Sequence, residues 1–401
     1  MAPLIQNYIA KTTFGLEEIL AQELLELGAT DIKIQNRAVA FSGDKELLYK
    51  VNYCSRTALR VFLPLVSAPI LNEEELYKLV QSIAWEDYLE VDGTLAVDST
   101  VHSETFNHSQ YVALKTKDAI VDRFREKFDR RPSVDVSTPD LRIHVHINKE
   151  QCSISLDSSG EPLFKRGYRV ATNEAPLNEV LAAGMVLLSG YTGDENFIDP
   201  MCGSGTILIE AAMIANNIPA NINRKLFAFE NWKDYDEDLY FTIQDALLKK
   251  IRSSHFKIMG FDKAPSAVQK AIANIENANL DEFIGVHHVN FFNSKKEVFG
   301  NTTILFNPPY GERLNIDTEE FYKKIGDTLK HNYPNSTAWL ITSDTDALKS
   351  VGLRTSKRIA LKNADLDCKF VKYELYEGSR KIKDRKGEID IKTNADSEPE
   401  D

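Results

Sequence analysis

Hydrophobic and polar positions alternate along the first 160 residues in a way that predicts two small α/β blocks. Residues 1–70 give strand-like and helix-like segments in the order strand, helix, strand, strand, helix, strand, which is the order of a ferredoxin-like unit. Residues 71–160 give a helix, a strand, the long helix "YVALKTKDAIVDRFREKF" and then the strands "LRIHVHIN" and "QCSISLDSS". The pattern therefore predicts a second, separate α/β module after the first.

The third block, residues 161–380, begins with the linking segment "EPLFKRGYRVATNEAPLNEVLAAG" and continues with alternating strand and helix signals. Such alternation favours a doubly wound parallel sheet. The interval between the first two strand ends of this block is much longer than a usual connection, so residues 218–255 are predicted to be an insertion. Residues 381–401 lack aromatic side chains and end in an acidic cluster, which predicts a disordered tail.

Composition and charge narrow the class of protein. The chain has 401 residues and a net charge of −12, which argues against indiscriminate coating of DNA but leaves room for a local basic patch. No apolar run is long enough to span a bilayer and no secretion signal is evident at the start, so we expect a cytoplasmic protein. The four cysteines form no CxxC pair, and His144 and His146 share a strand face without a third ligand at suitable spacing, so no metal site is predicted.

A glycine-containing turn in the third block indicates a nucleotide-like cofactor. The stretch "NFIDPMCGSGTILIEAAMIA" reads as a strand, a tight turn and an apolar helix. Gly203 and Gly205 allow the backbone to approach a ligand closely, and the start of the helix offers free N–H groups. The dinucleotide fingerprint requires a third glycine at position 208, where this chain has leucine, so a nicotinamide or flavin cofactor is less well supported.

Polar residues end the next three strands of this block. Asp262 follows an apolar strand and precedes a helix, where its carboxylate either accepts hydrogen bonds from ribose hydroxyls or only caps the helix. Asn290 ends the third strand, and the fourth strand, "TTILF", runs directly into "NPPYGERL". Two consecutive prolines force the chain out of regular structure, because each lacks an N–H and fixes φ.

The order of the turn "DPMCGSGT", the strand-terminal Asp262 and "NPPYG" resembles the class I S-adenosylmethionine (SAM) methyltransferases that act on exocyclic amino groups. The first two blocks resemble a ferredoxin-like domain followed by a THUMP domain. Together with the motif "LFKRGYR…APLNEVLAA", they resemble the bacterial THUMP-containing ribosomal RNA large-subunit methyltransferase L family, which makes N2-methylguanine in 23S rRNA. The resemblance implies an α/β fold with a Rossmann-like domain, whose doubly wound sheet ends in an antiparallel hairpin, after an RNA-binding region.

The resemblance also implies a cofactor, SAM, and residues that hold it. Asp199, Gly203 and Gly205 would line its methionine side, Asp262 would bind the ribose and Asn290 the adenine. Many relatives carry an aspartate at the position of Asn290. An amide offers both a donor and an acceptor, so it can still hydrogen-bond to an adenine edge.

The residues from Asn307 to Tyr310 would hold the target base. The side-chain oxygen of Asn307 and the carbonyl of Pro308 would each accept one N–H of the amine and aim its lone pair at the methyl carbon. Pro308 and Pro309 would lock both acceptors in place, and Tyr310 would stack on a base turned out of the RNA. Because orientation of reactants can supply roughly 7–11 kcal/mol, no strong base is required.

Two sets of basic residues are candidates for contact with RNA. The first occupies one sector of the long helix, which is either a solvated face or a surface for RNA phosphates, and comprises Arg123, Lys127, Arg130 and Arg131. The second lies in the linking segment at the start of the third block, where it either contacts RNA or pairs with acids between domains, and comprises Lys165, Arg166 and Arg169.

The expected substrate is therefore guanine in 23S rRNA, either as naked RNA or within a ribosomal assembly intermediate. Three alternatives remain open at this point. The first is guanine-N2 methylation of transfer RNA, since THUMP-like modules also serve enzymes that act there. The second is adenine-N6 methylation of DNA, because "NPPY" does not distinguish the two amines. The third is an RNA-binding ribosome assembly factor whose cofactor pocket is vestigial.

Overall fold

The computed structural model describes residues 4–172, 177–309 and 317–377. These residues form two compact units. The first unit contains the described residues up to Arg169 together with Asn178–Gly184 and Asn216–Ser253, and the second contains the rest. The predicted disordered tail, residues 381–401, lies outside the described residues.

The described residues form fifteen strands, which are β1 (Gln6–Lys11), β2 (Thr30–Gln35), β3 (Ala38–Gly43), β4 (Arg60–Pro69), β5 (Thr94–His102), β6 (Ser133–Val134), β7 (Leu141–Asn148), β8 (Gln151–Asp157), β9 (Asn196–Asp199), β10 (Ile258–Asp262), β11 (Ile284–His288), β12 (Thr302–Phe306), β13 (Ser336–Thr342), β14 (Thr355–Asn363) and β15 (Leu366–Leu375). They also form nine α-helices, which are α1 (Glu17–Leu27), α2 (Lys45–Cys54), α3 (Glu73–Gln81), α4 (Ser109–Phe128), α5 (Glu179–Ser189), α6 (Thr206–Ala215), α7 (Glu237–Leu248), α8 (Pro265–Asn277) and α9 (Thr318–Asn332). None of the helices in the described ranges has both the length and the apolar character that crossing a membrane requires.

One continuous sheet runs through the first unit. Its strand order is β2-β3-β1-β4-β8-β7-β5-β6, and β5 is parallel to both of its neighbours while the other pairs are antiparallel. The predicted order β1-α1-β2-β3-α2-β4 of a ferredoxin-like unit is confirmed. The two N-terminal blocks are joined where β4 pairs with β8, from Phe62 opposite Asp157 to Pro69 opposite Gln151. This pairing removes an exposed edge from each block.

A single hydrophobic core lies under one face of this sheet. Alternate residues of the strands, such as Ile143 and Val145 of β7, are fully buried together with apolar residues of the four N-terminal helices, such as Leu24, Val80 and Phe124. The alternation follows from the strand period, which sends successive side chains to opposite faces. The second face of the sheet consequently carries mostly polar residues.

The predicted insertion packs on the first unit. Residues 216–253 include α7 and contribute Phe229 and Tyr240 to that unit's core. Tyr49 of α2 stacks on Phe229 with ring centroids 4.5 Å apart and meets Tyr240 edge-on at 5.6 Å. The insertion therefore completes the core of the first unit, although its sequence interrupts the third block.

The second unit contains a seven-stranded sheet in the order β11-β10-β9-β12-β13-β15-β14. The five strands from β11 to β13 are parallel, whereas β15 is antiparallel to both β13 and β14. The predicted doubly wound sheet with a terminal antiparallel hairpin is confirmed. The strand order reverses at β9, which has β10 on one side and β12 on the other. Ligands of open α/β sheets bind at the carboxyl ends of the strands beside such a reversal.

The close approach of α9 to the 3-10 helix Ala347–Val351 gives a stability prediction. A Cβ atom on Gly326 would lie 1.7 Å from the carbonyl oxygen of Val351. Alanine gains about 1 kcal/mol over glycine in helix propensity, but overpacking against backbone costs about 1–3 kcal/mol or more. We therefore expect Gly326→Ala to lower the free energy of unfolding measured in urea. Lys324→Ala, which removes only a surface ion pair with Glu320, is the control, and a stabilised Gly326→Ala protein would contradict the packing.

Candidate functional site

A cavity of about 460 Å³ lies in the second unit at the carboxyl ends of β9, β10 and β12. This volume is within the usual range for small-molecule sites. Seven of the residues predicted from the sequence line it, namely Asp199, Gly203, Asp262, Asn290, Asn307, Pro308 and Pro309. Gly205 does not line it, and Tyr310 lies outside the described residues.

The turn between β9 and α6 is held by backbone hydrogen bonds and by two glycines with positive φ. The N–H of Cys202 donates to Phe261 at 2.9 Å, and the N–H of Gly205 donates to Cys202 at 2.8 Å. Gly203 has φ +55° and Gly205 has φ +83°, a region that favours glycine. A Cβ on Gly205 would lie 3.2 Å from the Cβ of Ala271 in α8. Gly205 therefore allows the turn to pack against α8, and Gly203 is the glycine that faces the cavity.

The carboxylate of Asp262 connects two neighbouring strand ends. One of its oxygens accepts the N–H of Gly203 at 3.0 Å, and the other accepts the N–H of Ala264 at 2.9 Å. The first bond holds the glycine turn and the second holds the start of α8. Each oxygen retains a second lone pair, so Asp262 can still accept a hydrogen bond from a ligand in the cavity.

Asp199 places a second carboxyl group at the same edge of the sheet. It is 1% exposed, and its side chain accepts the N–H of Met201 at 3.1 Å. Burial raises the pKa of Asp199 well above its usual value, and the nearby charge of Asp262 raises it further. A positively charged group of a ligand would offset both effects and favour the ionised carboxylate.

Asn290 begins a short aromatic segment that borders the cavity. Its side-chain oxygen accepts the N–H of Phe292 at 3.1 Å and so caps a 3-10 helix (Phe291–Asn293). Phe291 and Phe292 both line the cavity, and Phe292 packs edge-on against Phe321 at 5.5 Å. These aromatic rings were not among the site residues predicted from the sequence. The signal was present, since "NFFN" directly follows a strand in the same position as the other polar strand ends.

Asn307 is the first residue after the fully buried strand β12. Its side-chain oxygen is buried and has no hydrogen-bond partner among the residues that the structure describes. A buried acceptor without a donor costs about 1–3 kcal/mol. Pro308 and Pro309 follow at once and have no N–H groups, so the next two residues cannot supply the missing donor from their backbone. The geometry suits a ligand that brings an N–H or O–H group to this oxygen.

One of the basic residues predicted to contact RNA is placed where RNA does not reach it. Arg166 is 1% exposed, and its guanidinium donates to the carbonyl oxygens of Leu163 at 2.9 Å and Arg56 at 2.5 Å. The prediction for Arg166 is therefore wrong, because its donors hold the backbone inside the first unit. Arg169 pairs with Glu179 at 2.7 Å, and both residues belong to the first unit, so this pair is not the interdomain pair that one sequence interpretation expects.

The helix face predicted to contact RNA consists largely of paired charges. Arg123 donates to both carboxylate oxygens of Glu86, at 2.9 and 2.8 Å, and Lys127 reaches the same group at 2.5 Å. These bonds hold the pKa of Glu86 well below its usual range. Just after this helix, Arg130 pairs with Asp92 and Arg131 is exposed. Lys165, from the second basic set, pairs with Glu161. Contact of this face with RNA stays a prediction.

The chain matches three family models in succession. Residues 166–372 match the RMKL-like methyltransferase domain, residues 71–157 match the THUMP domain and residues 7–62 match the RlmL ferredoxin-like domain. The order of these matches agrees with the order of the three blocks predicted from the sequence.

Individual relatives match most of this chain. The "Putative RNA methyltransferase slr0064" of Synechocystis is 37% identical over 372 residues, which cover 92% of this chain and 97% of the relative. The ribosomal RNA large subunit methyltransferase K/L of Syntrophotalea carbinolica is 33% identical over 388 residues, which cover 92% of this chain but only 54% of the relative. Among solved structures, SMU.472, a putative methyltransferase in complex with S-adenosylhomocysteine (SAH), is 30% identical to this chain with a TM-score of 0.84. The match covers 94% of this chain and 100% of that one.

The glycine turn gives a prediction about binding of S-adenosylhomocysteine (SAH). We expect Gly205→Val to abolish it, because the added side chain would push α8 away from the turn and displace Gly203 from the cavity. Calorimetry with SAH measures the effect, and thermal unfolding shows whether the variant remains folded. Gly190→Val is the matched control, since Gly190 has φ +84° but open space around it. A folded Gly205→Val protein with normal SAH affinity would place the ligand elsewhere.

Proposed function

This chain belongs to the family of RMKL-like methyltransferases, and on that premise we propose that it transfers the methyl group of SAM to the exocyclic N2 amine of a guanine in 23S rRNA. The family membership makes it a SAM-dependent RNA methyltransferase. The identity of the amine and of the RNA is the finer part of the proposal. The observation that supports an exocyclic amine as the methyl acceptor is the buried Asn307 oxygen, which has no partner among the described residues at the edge of the cavity.

An exocyclic amine needs positioning more than it needs a base. Its lone pair is delocalised into the ring, so the nitrogen is a poor nucleophile until both of its N–H groups are held. The Asn307 oxygen and the Pro308 carbonyl supply two acceptors for these two N–H groups. The two prolines fix the backbone that carries them. Such orientation can lower the barrier by roughly 7–11 kcal/mol, which removes the need for a catalytic histidine.

SAM supplies an electrophilic methyl group, and the residues of the cavity suit it. We assign the buried carboxyl of Asp199 to the positively charged methionine part, where it gains a partner for its charge. The free lone pairs of Asp262 are assigned to ribose hydroxyls. Asn290 and the neighbouring Phe292 are assigned to the adenine, with the amide at its edge and the ring as an apolar wall. Gly203 faces the ligand, and Gly205 acts through the shape of the turn.

We place the target base beside Asn307, Pro308 and Pro309, with Tyr310 stacked on it. Stacking of an aromatic side chain on a base contributes about 1–3 kcal/mol, which helps to offset the loss of stacking when a base leaves its RNA context. The choice of ribosomal RNA rests on the K/L relative, whose name specifies the large subunit. This chain corresponds to about half of that relative's length.

The central prediction concerns Asn307. We expect Asn307→Ala to reduce the rate of methylation about 100-fold or more, the usual effect of losing one positioned hydrogen-bonding group in an active site. Affinity for SAH should not change. The free energy of unfolding should stay equal or rise, because the substitution removes a buried acceptor that has no partner in the described chain. Asn307→Asp, which keeps an acceptor oxygen in place, should retain more activity than Asn307→Ala. Methylation by Asn307→Ala at the wild-type rate would refute the mechanism.

The substrate is tested by mass spectrometry of nucleosides from a strain that lacks the protein. We expect N2-methylguanine to decrease in 23S rRNA and to return when the wild-type gene is restored, but not when the Asn307→Ala gene is. A decrease confined to transfer RNA, or a decrease of N6-methyladenine in DNA, would instead identify one of the alternative substrates. Unchanged nucleosides in all three pools would favour a role in assembly without catalysis.

A further inference from the structure

The second face of the eight-stranded sheet forms a broad groove. In β7, Ile143 and Val145 point into the core of the first unit, while His144 and His146 point to the opposite face. The same alternation in β1, β4, β8, β7 and β5, which are neighbours in the sheet, lines a groove of about 1310 Å³. Neighbouring strands lie about 4.8 Å apart, so five strands make a floor about 19 Å across.

Part of the charge in this groove is neutralised by pairing. Arg60 pairs with the buried Asp157, and Arg142 pairs with Asp98 at 2.8 Å. These two pairs fix the long side chains along the floor. The net positive charge of the groove therefore comes from its other cations.

Two further cations line the groove without such pairing. Among the residues that the structure describes, no acid lies within ion-pair distance of the side chain of Lys11 or of Arg37. Burial, and then the charge of Arg37, lower the pKa of Lys11, so the two cations act on one another through the groove. An anion bound between them would stabilise both charges. The whole chain carries −12, so this excess of positive charge is a local feature.

Flat rings form a row beside these cations. His144 stacks on Phe62 with ring centroids 4.7 Å apart and an interplanar angle of 23°. His146 lies 6.4 Å from His144 at 14°, and His102 follows 6.2 Å from His146. Burial lowers the pKa of His144 to about 4, so its ring is neutral near pH 7. The ring of His144 therefore lines the groove without adding charge to it.

We infer that this groove binds a single-stranded segment of the RNA substrate, with phosphates at Lys11 and Arg37 and bases against the His144 and His146 rings. The inference rests on the proposed function for the identity of the ligand as RNA. A cationic groove with aromatic rings on a sheet is the arrangement by which proteins hold single-stranded RNA, whose phosphates and base faces are both accessible. A duplex hides its base faces, so it would leave the row of rings without a role.

The first experiment measures affinity for a labelled single-stranded RNA of about twelve nucleotides, a length within the usual site sizes, at several salt concentrations. The groove variant is Lys11→Glu with Arg37→Glu. We expect it to bind at least tenfold more weakly than wild type. We also expect its log-log salt dependence to flatten by about 1.4, since each phosphate contact to a single strand contributes about 0.7. Arg37→Glu alone, at an exposed turn, should flatten the slope by about half as much and serves if the double variant does not fold.

Two matched double variants carry the same change in net charge. Lys249→Glu with Lys349→Glu alters two exposed lysines that make only local surface pairs, and we expect wild-type binding. Lys127→Glu with Arg130→Glu tests the face of α4 as the rival surface. Equal effects of the groove variant and the exposed-lysine variant would overturn the inference. A loss confined to the α4 variant would overturn it as well and would place the RNA on the helix.

The rings are tested separately from the charges. His144→Ala should weaken binding of the single strand about tenfold, whereas His144→Phe, which keeps a flat ring, should bind within about threefold of wild type. A duplex of the same sequence should bind more weakly and should not distinguish these two variants. If the duplex binds as well as the single strand, or if the Ala and Phe variants bind alike, the assignment of bases to this row is wrong.

Binding of SAH and methylation keep this inference distinct from the proposed function. The groove variants should bind SAH normally and methylate RNA with a raised KM and an unchanged kcat, because they leave the cavity of the second unit intact. Normal RNA binding by the groove variants, in an enzyme that still methylates guanine, would overturn the groove and leave the proposed function standing. If the wild-type protein does not methylate guanine but its RNA binding depends on Lys11 and Arg37, the proposed function would be overturned and the groove would stand.

Discussion

The second unit depends on one carboxylate, that of Asp262, which binds two backbone N–H groups from different strand ends. Through Gly203 it fixes the turn after β9, and through Ala264 it fixes the start of α8. Hydrogen bonds to a charged acceptor contribute about 1.5–3 kcal/mol each, more than bonds between neutral groups. The shape of the cavity follows from this constraint, because the turn and the helix could otherwise separate. A ribose hydroxyl bound at the same carboxylate would join a framework that is already in place.

Two asparagines of the second unit, each with a buried side-chain oxygen, differ in whether the described chain satisfies that oxygen. The amide of Asn274 accepts the N–H groups of Val170 and Ala171 and donates to the carbonyls of Ala171 and Ser204, so all of its capacity is used. It ties the segment that follows Arg169 to the glycine turn. The oxygen of Asn307 is buried too, yet it has no donor within the described part of the chain. Leaving the Asn307 oxygen without a donor does not stabilise the fold, so its burial is best explained by a ligand that donates to it.

Much of the fold follows from local patterns, whereas the rest depends on contacts between distant residues. The alternation in β7 and the turn around Gly203 can be interpreted from a few adjacent positions, and they predicted a strand and a cofactor site. The pairing of β4 with β8 joins segments about 90 residues apart, and no local pattern specifies that partner or its register. Arg166 is an ordinary surface residue by type, and only the carbonyls of Leu163 and Arg56 make its burial favourable. Gly205 was also predicted from the sequence to contact the ligand. A glycine that allows close packing against a helix, as Gly205 does against α8, cannot be distinguished in the sequence from one that contacts a ligand.

The distribution of charge in the first unit depends on pairing more than on composition. Both α4 and the sheet groove carry several cations, so the two surfaces look alike in the sequence. On α4, Glu86 lies between Arg123 and Lys127 and cancels much of their field. In the groove, Lys11 is half-buried near Arg37, and no acid of the described chain lies within ion-pair distance of either side chain. A polyanion gains more by approaching unpaired, partly desolvated cations than by breaking existing ion pairs. An acidic chain can therefore attract RNA to one face of a sheet and repel it over most of its remaining surface.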